Sequence, residues 1–165
     1  MDRAVAAPRR AVVALGSNLG DRRAALTFAI ERLASLLTDL TVSEFVETEP
    51  EDLDGVPLSD QPLYLNAAAT GLTARDPHDL LRALQTIESD YGRERPYPGA
   101  PRTLDLDLIL LDDLTVSDAE LQLPHPRFRS RFFVLGPLAE IAPGVRDPVS
   151  GATVVDLLRH LLAKK

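Results

Sequence analysis

The 165-residue sequence contains no cysteine, which excludes disulfides, thiolate nucleophiles and cysteine-held metals together. Any metal would be held by oxygen or by one of three histidines. No apolar run approaches the length of a membrane span. Basic residues are in deficit, with 18 Lys and Arg against 25 Asp and Glu and a net charge of −7. That balance disfavours a general nucleic-acid binder, which carries a basic surplus. It leaves room for an anionic substrate met by local arginines. Internal repeats and low-complexity segments are missing. So are a Walker lysine, a GxGxxG fingerprint and a serine or cysteine nucleophile motif.

What is present describes one folded domain over residues 1–165, with 1–9 as a disordered extension. Apolar residues make up 45%, too many for a disordered chain. The opening "MDRAVAAPRRAVVALG" has arginines ahead of an apolar segment, as a secretory signal does. The apolar part is short, however, and Ser17-Asn18 leads straight into a helix pattern. We read it as an N-terminal extension feeding a first strand, and a cytoplasmic setting is expected.

Arg10 to Gly16 reads as a buried strand and "GSNLGD" as the tight turn into a helix over 21–37, with Leu26, Ile30, Leu33 and Leu37 at helical spacing. "TVSEFVET" (41–48) and "YLNAAATGLT" (64–73) read as strands. Between them lies a Pro-rich acidic segment, long for a connection and expected to be a functional loop. Asp76, Pro77 and Asp79 mark the start of a second helix that stops at Gly92. The run 104–111 is a further strand, and Thr153 with Asp156 opens a last helix. This order predicts an α+β sandwich with helices on one face of a mostly antiparallel sheet.

"TLDLDLILL" puts Asp105 and Asp107 on one face of its strand, with Leu104, Leu106 and Leu108 on the other. Alone, the pair reads equally well as a solvated strand edge or as an oxygen-ligand metal site. Its neighbours favour the metal. Arg93, Arg95 and Arg102 lie in the loop that delivers the chain to it, and Arg127, Arg129 and Arg131 follow His125. Guanidinium forks match phosphate oxygens, and Mg²⁺ suits a few carboxylates plus substrate phosphates. Each arginine cluster could instead be a solvated patch, and a lone histidine is more often structural than catalytic. Gln85 and Glu88 share a face of the second helix, and either could simply be exposed. His78 and His160 lie on polar helix positions and receive no role.

Five stretches, "ALGSNLGD", "YLNAA", "QTIE" followed by "GR", "APRTLDLDLILLDD" and "LPHPRFRSRFFVLGPLAEIAP", occur in an order that resembles the 6-hydroxymethyl-7,8-dihydropterin pyrophosphokinases of folate biosynthesis. The resemblance implies a ferredoxin-like fold and an ATP-dependent diphosphokinase. The pterin's hydroxymethyl oxygen would attack the β-phosphorus of ATP, and AMP would leave. It further implies that Asp105 and Asp107 hold two Mg²⁺ ions, and that Arg93, Arg95, Arg102, Arg131 and His125 clamp phosphates. Gln85 and Glu88 would contact the nucleotide. Thr48, Tyr64, Asn66 and Phe133 would form the pterin pocket, with the two rings sandwiching the heterocycle. The loops around 49–62 and 92–102 would close as lids, Tyr97 standing where many members carry another aromatic. The expected partners are ATP and the pterin, with no nucleic acid, no membrane and a monomeric state. Two rivals remain at this level: a kinase for another alcohol, and a nucleotide-binding module without turnover.

Overall fold

Nine residues, Arg9–Ser17, form the strand on which the rest is built (β1), and Ala11–Ser17 are buried without interruption. A strand apolar on both faces needs cover on both. In the computed structural model, which describes residues 7–49, 62–93 and 104–164, it has that cover. Ala11, Val13 and Leu15 face one core, filled by α1 (Arg22–Leu36) and α2 (Pro77–Arg93). Val12 and Ala14 face a second, filled by α3 (Phe132–Ile141) and α4 (Val154–Ala163). The expectation of helices on one face is therefore corrected: the sheet is covered on both, because its central strand alternates between two apolar sets.

β1 pairs antiparallel with β4 (Tyr64–Thr73) on one side and with β5 (Asp105–Leu111) on the other. The outer edge of β4 receives β2 (Thr38–Val42) and β3 (Val46–Thr48), giving the order β2-β4-β1-β5 with β3 beside β4. Strand–helix–strand–strand–helix–strand in this order is the ferredoxin-like α+β arrangement. The single strand expected over 41–48 is interrupted. Val42 opposes Ala69 and Val46 opposes Asn66, so three residues on one strand meet two on the other, a bulge. Ser43 bridges it: its N–H donates to Ala68 O, and its Oγ accepts from Ala68 N, both at 2.9 Å.

The helix starts follow their sequence signals. Asp21 accepts from Ala24 N at 3.0 Å, Asp76 from His78 N at 3.0 Å and Thr153 from Asp156 N at 3.2 Å. α2 runs one residue past the expected stop at Gly92, to Arg93. β1 begins at Arg9, paired with Thr73, one residue before its expected start. A short hairpin of β6 (Val116–Ser117) and β7 (Gln122–Leu123) goes unpredicted. It is too short for a periodicity to show, and its turn is held by Asp118, which accepts from Glu120 N and Leu121 N. No helix among the described residues is long and apolar enough to cross a membrane.

Candidate active site

The register of three strands gathers the site. Gly16 near the end of β1 lies opposite Asn66 on β4 and opposite Asp105 on β5, and Ala14 lies opposite Asp107. Thr48 and Tyr64 are the last pair of the β3–β4 hairpin. With a side-chain period of two, these positions share the sheet face that α3 covers. They line a cavity of about 350 Å³, together with Arg131 and Phe133 at the start of α3. That volume lies at the small end of ligand pockets. Gly16 serves here as floor: a Cβ on it would stand 3.2 Å from Asn66 Oδ1 and 3.6 Å from Tyr64 Cδ1. The "GSNLG" segment is thus divided. Gly16 belongs to the strand, and Gly20, at φ +71°, makes the turn.

Part of the lining is amide, hydroxyl and aromatic. Asn66 is buried and donates from Nδ2 to Thr48 Oγ1 at 2.6 Å, which fixes the amide's orientation toward the cavity. Tyr64 and Phe133 supply aromatic faces to the same space, and the Arg131 guanidinium lies 5.4 Å from the Phe133 ring centroid. Another part is anionic. Asp105 is reachable from the cavity mouth, yet the surrounding protein pushes its carboxyl up by withdrawing water, and the charge of Asp107 pushes it further. Tyr64 is raised by burial and then by Asp105. Glu88, on α2, accepts from Leu106 N at 2.8 Å. Its carboxyl is raised by burial first, lowered by that amide, and raised again by Asp105 and Asp107. A concentration of negative charge that raises its own members is a place where a cation is favoured.

His125 stands beside this anionic part. Its Nδ1 accepts from Arg127 N at 3.2 Å, leaving the proton on Nε2 as a donor. Its N–H donates to Ile109 O, the bulged residue of β5. Burial lowers its pKa; Asp107 opposes that, while Arg131 and Arg127 add to it. A neutral ring with a fixed donor is the result.

The structure brings together Thr48, Tyr64, Asn66, Asp105, Asp107, Arg131 and Phe133 around one cavity. Gln85 is exposed on α2, outside that lining. The three arginines after His125 separate. Arg131 faces the cavity and Arg127 is exposed, while Arg129 turns away to pair with buried Asp147, at 2.5 Å from Nε and 2.8 Å from Nη2. Arg129 therefore leaves the phosphate cluster read from sequence, because a buried carboxylate claims it. Arg93 ends α2, and Arg95, Tyr97, Arg102 and both expected lid tips lie outside the described residues. Gly16 and Glu49 also line the cavity. Sequence reasoning passed over both, since a glycine before a turn and an acid in an acidic loop carry no distinguishing signal.

The family model described as 7,8-dihydro-6-hydroxymethylpterin-pyrophosphokinase matches residues 12–143. A 2-amino-4-hydroxy-6-hydroxymethyldihydropteridine pyrophosphokinase of Synechocystis is 41% identical over 151 residues, covering 92% of this chain and 75% of that protein. Its counterpart in Methylorubrum extorquens is 40% identical over 152 residues, covering 92% of this chain and 93% of that one. The fold is similar to that of wild-type Plasmodium falciparum HPPK-DHPS, with a TM-score of 0.73 at 15% identity. The match covers 96% of this chain but 45% of that longer one. With the family's model spanning the sheet, the cavity and α3, and curated relatives aligned over most of their own length, this chain belongs to the 7,8-dihydro-6-hydroxymethylpterin-pyrophosphokinase family.

Proposed function

We propose that the cavity between β1, β4, β5 and the start of α3 is where this pyrophosphokinase of folate biosynthesis carries out its transfer, from ATP to the hydroxymethyl oxygen of 6-hydroxymethyl-7,8-dihydropterin. The new bond joins that oxygen to the β-phosphorus, the bond from the β-phosphorus to the bridging oxygen breaks, AMP leaves with that oxygen and its electron pair, and the hydroxyl proton passes to solvent. The observation that carries this placement is the cavity's mixed lining. Neutral aromatic and hydrogen-bonding groups (Tyr64, Phe133, Asn66 and Thr48) share the cavity with a pair of carboxylates, and an acceptor alcohol meeting a triphosphate needs both.

The pterin ring lies between Tyr64 and Phe133, whose faces suit a flat heterocycle. Asn66, with one amide hydrogen committed to Thr48, reads the ring's edge with what remains. Arg131 and the Nε2–H of His125 meet phosphate oxygens, as do Arg93 at the end of α2 and Arg95 and Arg102 from the chain that follows it. Gln85 and Glu88 approach the nucleotide from α2. Asp105 and Asp107 would hold two Mg²⁺ ions. Their mutual repulsion fits a cation, and the family's chemistry makes ATP the co-substrate. Among the described residues no group of three or more carboxylates and histidines is assembled for a metal, so phosphate oxygens and water would complete the coordination. Bound there, magnesium would neutralise charge on the triphosphate and polarise the phosphorus under attack. A monomeric state belongs to this reading as well. A cytoplasmic setting belongs to the same reading.

The test is a nucleotide product assay with ATP, Mg²⁺ and the pterin, run with and without the pterin. AMP formed only when the pterin is present is the expected result. ADP would mean transfer of a single phosphate, and tight ATP binding without turnover would mean a binding module.

A further inference from the structure

Among the described residues β5 is an edge strand, paired with β1 and in contact with α2. Edge N–H groups have no strand partner and must find one elsewhere. At one position on this edge the partner is Glu88, whose Oε2 accepts from Leu106 N at 2.8 Å. Leu106 is the residue between Asp105 and Asp107. Glu88 itself is held by its neighbours on α2, since Leu84, Ile87 and Tyr91 are all buried in the core beneath the sheet. A carboxylate on a packed helix thus grips the backbone at the midpoint of the paired aspartates, just where the chain enters β5.

We propose that Glu88 is a positioning residue for Asp105 and Asp107. By holding the Leu106 amide it fixes the backbone of β5 between them, and so sets the spacing at which the two carboxylates leave the sheet. This role rests on the transfer reading of the cavity and goes beyond the nucleotide contact that the family resemblance assigns to Glu88. What the role requires is an acceptor oxygen at that point, not a charge. A glutamine supplies one; alanine and leucine do not.

The experiment compares the full chain with Glu88→Gln, Glu88→Ala and Glu88→Leu. Two readouts are taken: amide hydrogen exchange of Leu106 in the ligand-free protein, and kcat with KM for ATP and the Mg²⁺ concentration giving half-maximal rate. In Glu88→Ala, Leu106 exchange should quicken by about tenfold or more while that of Val13, in the central strand, keeps its protection. Displaced carboxylates should lower kcat by roughly 30-fold to 100-fold and raise the Mg²⁺ requirement, in addition to any rise in KM for ATP from the lost nucleotide contact. Glu88→Gln should hold Leu106 exchange within about threefold of the wild type and recover most of the kcat that alanine loses. Glu88→Leu keeps an apolar side chain on the helix and should behave as alanine does, which covers the case where alanine loosens α2. Unchanged Leu106 exchange in both alanine and leucine variants would overturn the proposal. So would a glutamine variant as impaired as alanine, or a defect confined to KM for ATP. If the wild type makes no AMP, the transfer reading fails, while the exchange readout still reports whether Glu88 holds the strand.

Discussion

Asp105 is least comfortable as an anion in the ligand-free protein, since burial and Asp107 both raise its carboxyl. A folded pKa above the unfolded value means that ionisation at neutral pH opposes folding. Two consequences diverge. Asp105→Asn should lower kcat by a factor of about a thousand, because a carboxylate that would hold the cation is gone. The same substitution should raise the melting temperature in metal-free buffer, since a repelling charge has been removed. Near-normal turnover at saturating Mg²⁺, or a lowered melting temperature without metal, would contradict the assignment. At this scale the sequence was informative where chemistry follows from alternation. Two aspartates one residue apart in a strand must share a face, and they do. It was silent on Gly16, because a glycine that clears a cavity floor looks the same in sequence as one that makes a turn.

At the scale of the element, the β3–β4 hairpin is anchored from outside by the first residue of α1. Arg22 pairs with Glu47 at 2.9 Å and donates to Leu63 O at 3.0 Å. Those two residues adjoin Thr48 and Tyr64, the hairpin's last pair and part of the cavity wall. Arg22→Ala should therefore raise KM for the pterin by about five- to tenfold with a smaller change in kcat, and Arg22→Lys should recover part of it. Steady-state kinetics with the pterin varied at saturating ATP would settle the point, and equal losses in kcat alone would remove Arg22 from the role. The hairpin itself was legible, since two strand-like runs flank an acidic, Pro-rich segment. Its anchor was not. An arginine at the start of a helix has no sequence relation to residues 25 and 41 positions away. The bulge at Ser43 was hidden for a similar reason, since its hydroxyl substitutes for a regular ladder bond without disturbing the apolar pattern.

For the whole molecule, the sequence pattern announced α4 through Thr153 and Asp156 but showed neither α3 nor the roof that the two helices form over the second sheet face. α3 and α4 lie over the second sheet face, and the segments around them are tied together by Arg129 and Asp147. Asp147 is fully buried, takes both guanidinium bonds, and also accepts from Val149 N at 3.0 Å and Ser150 Oγ at 2.8 Å. The arginine's hydrogen bonds hold its carboxyl down at about 2, against an ordinary value near 3.8. A depressed carboxylate contributes stability that is complete above the unfolded pKa and lost as pH falls through the folded one. The loss should therefore fall between pH 3.8 and about 2, and amount to about 2 kcal/mol. Asp147→Asn should lower stability at pH 7 by a similar amount, or somewhat more because Arg129 is left without its partner. It should also remove that portion of the acid dependence. Urea unfolding at pH 7, 4, 3 and 2.5 would show it as two curves that are apart at neutral pH and converge in acid. If they stayed parallel down to pH 2.5, the ion pair would not be what couples the roof to pH. The consequence reaches the site, because the 3₁₀ turn Phe128–Ser130 leads directly into Arg131 and Phe133. Losing the Arg129 anchor should loosen the roof before the sheet, so Asp147→Asn should weaken pterin binding at pH 7 while β1 and β4 keep their amide protection.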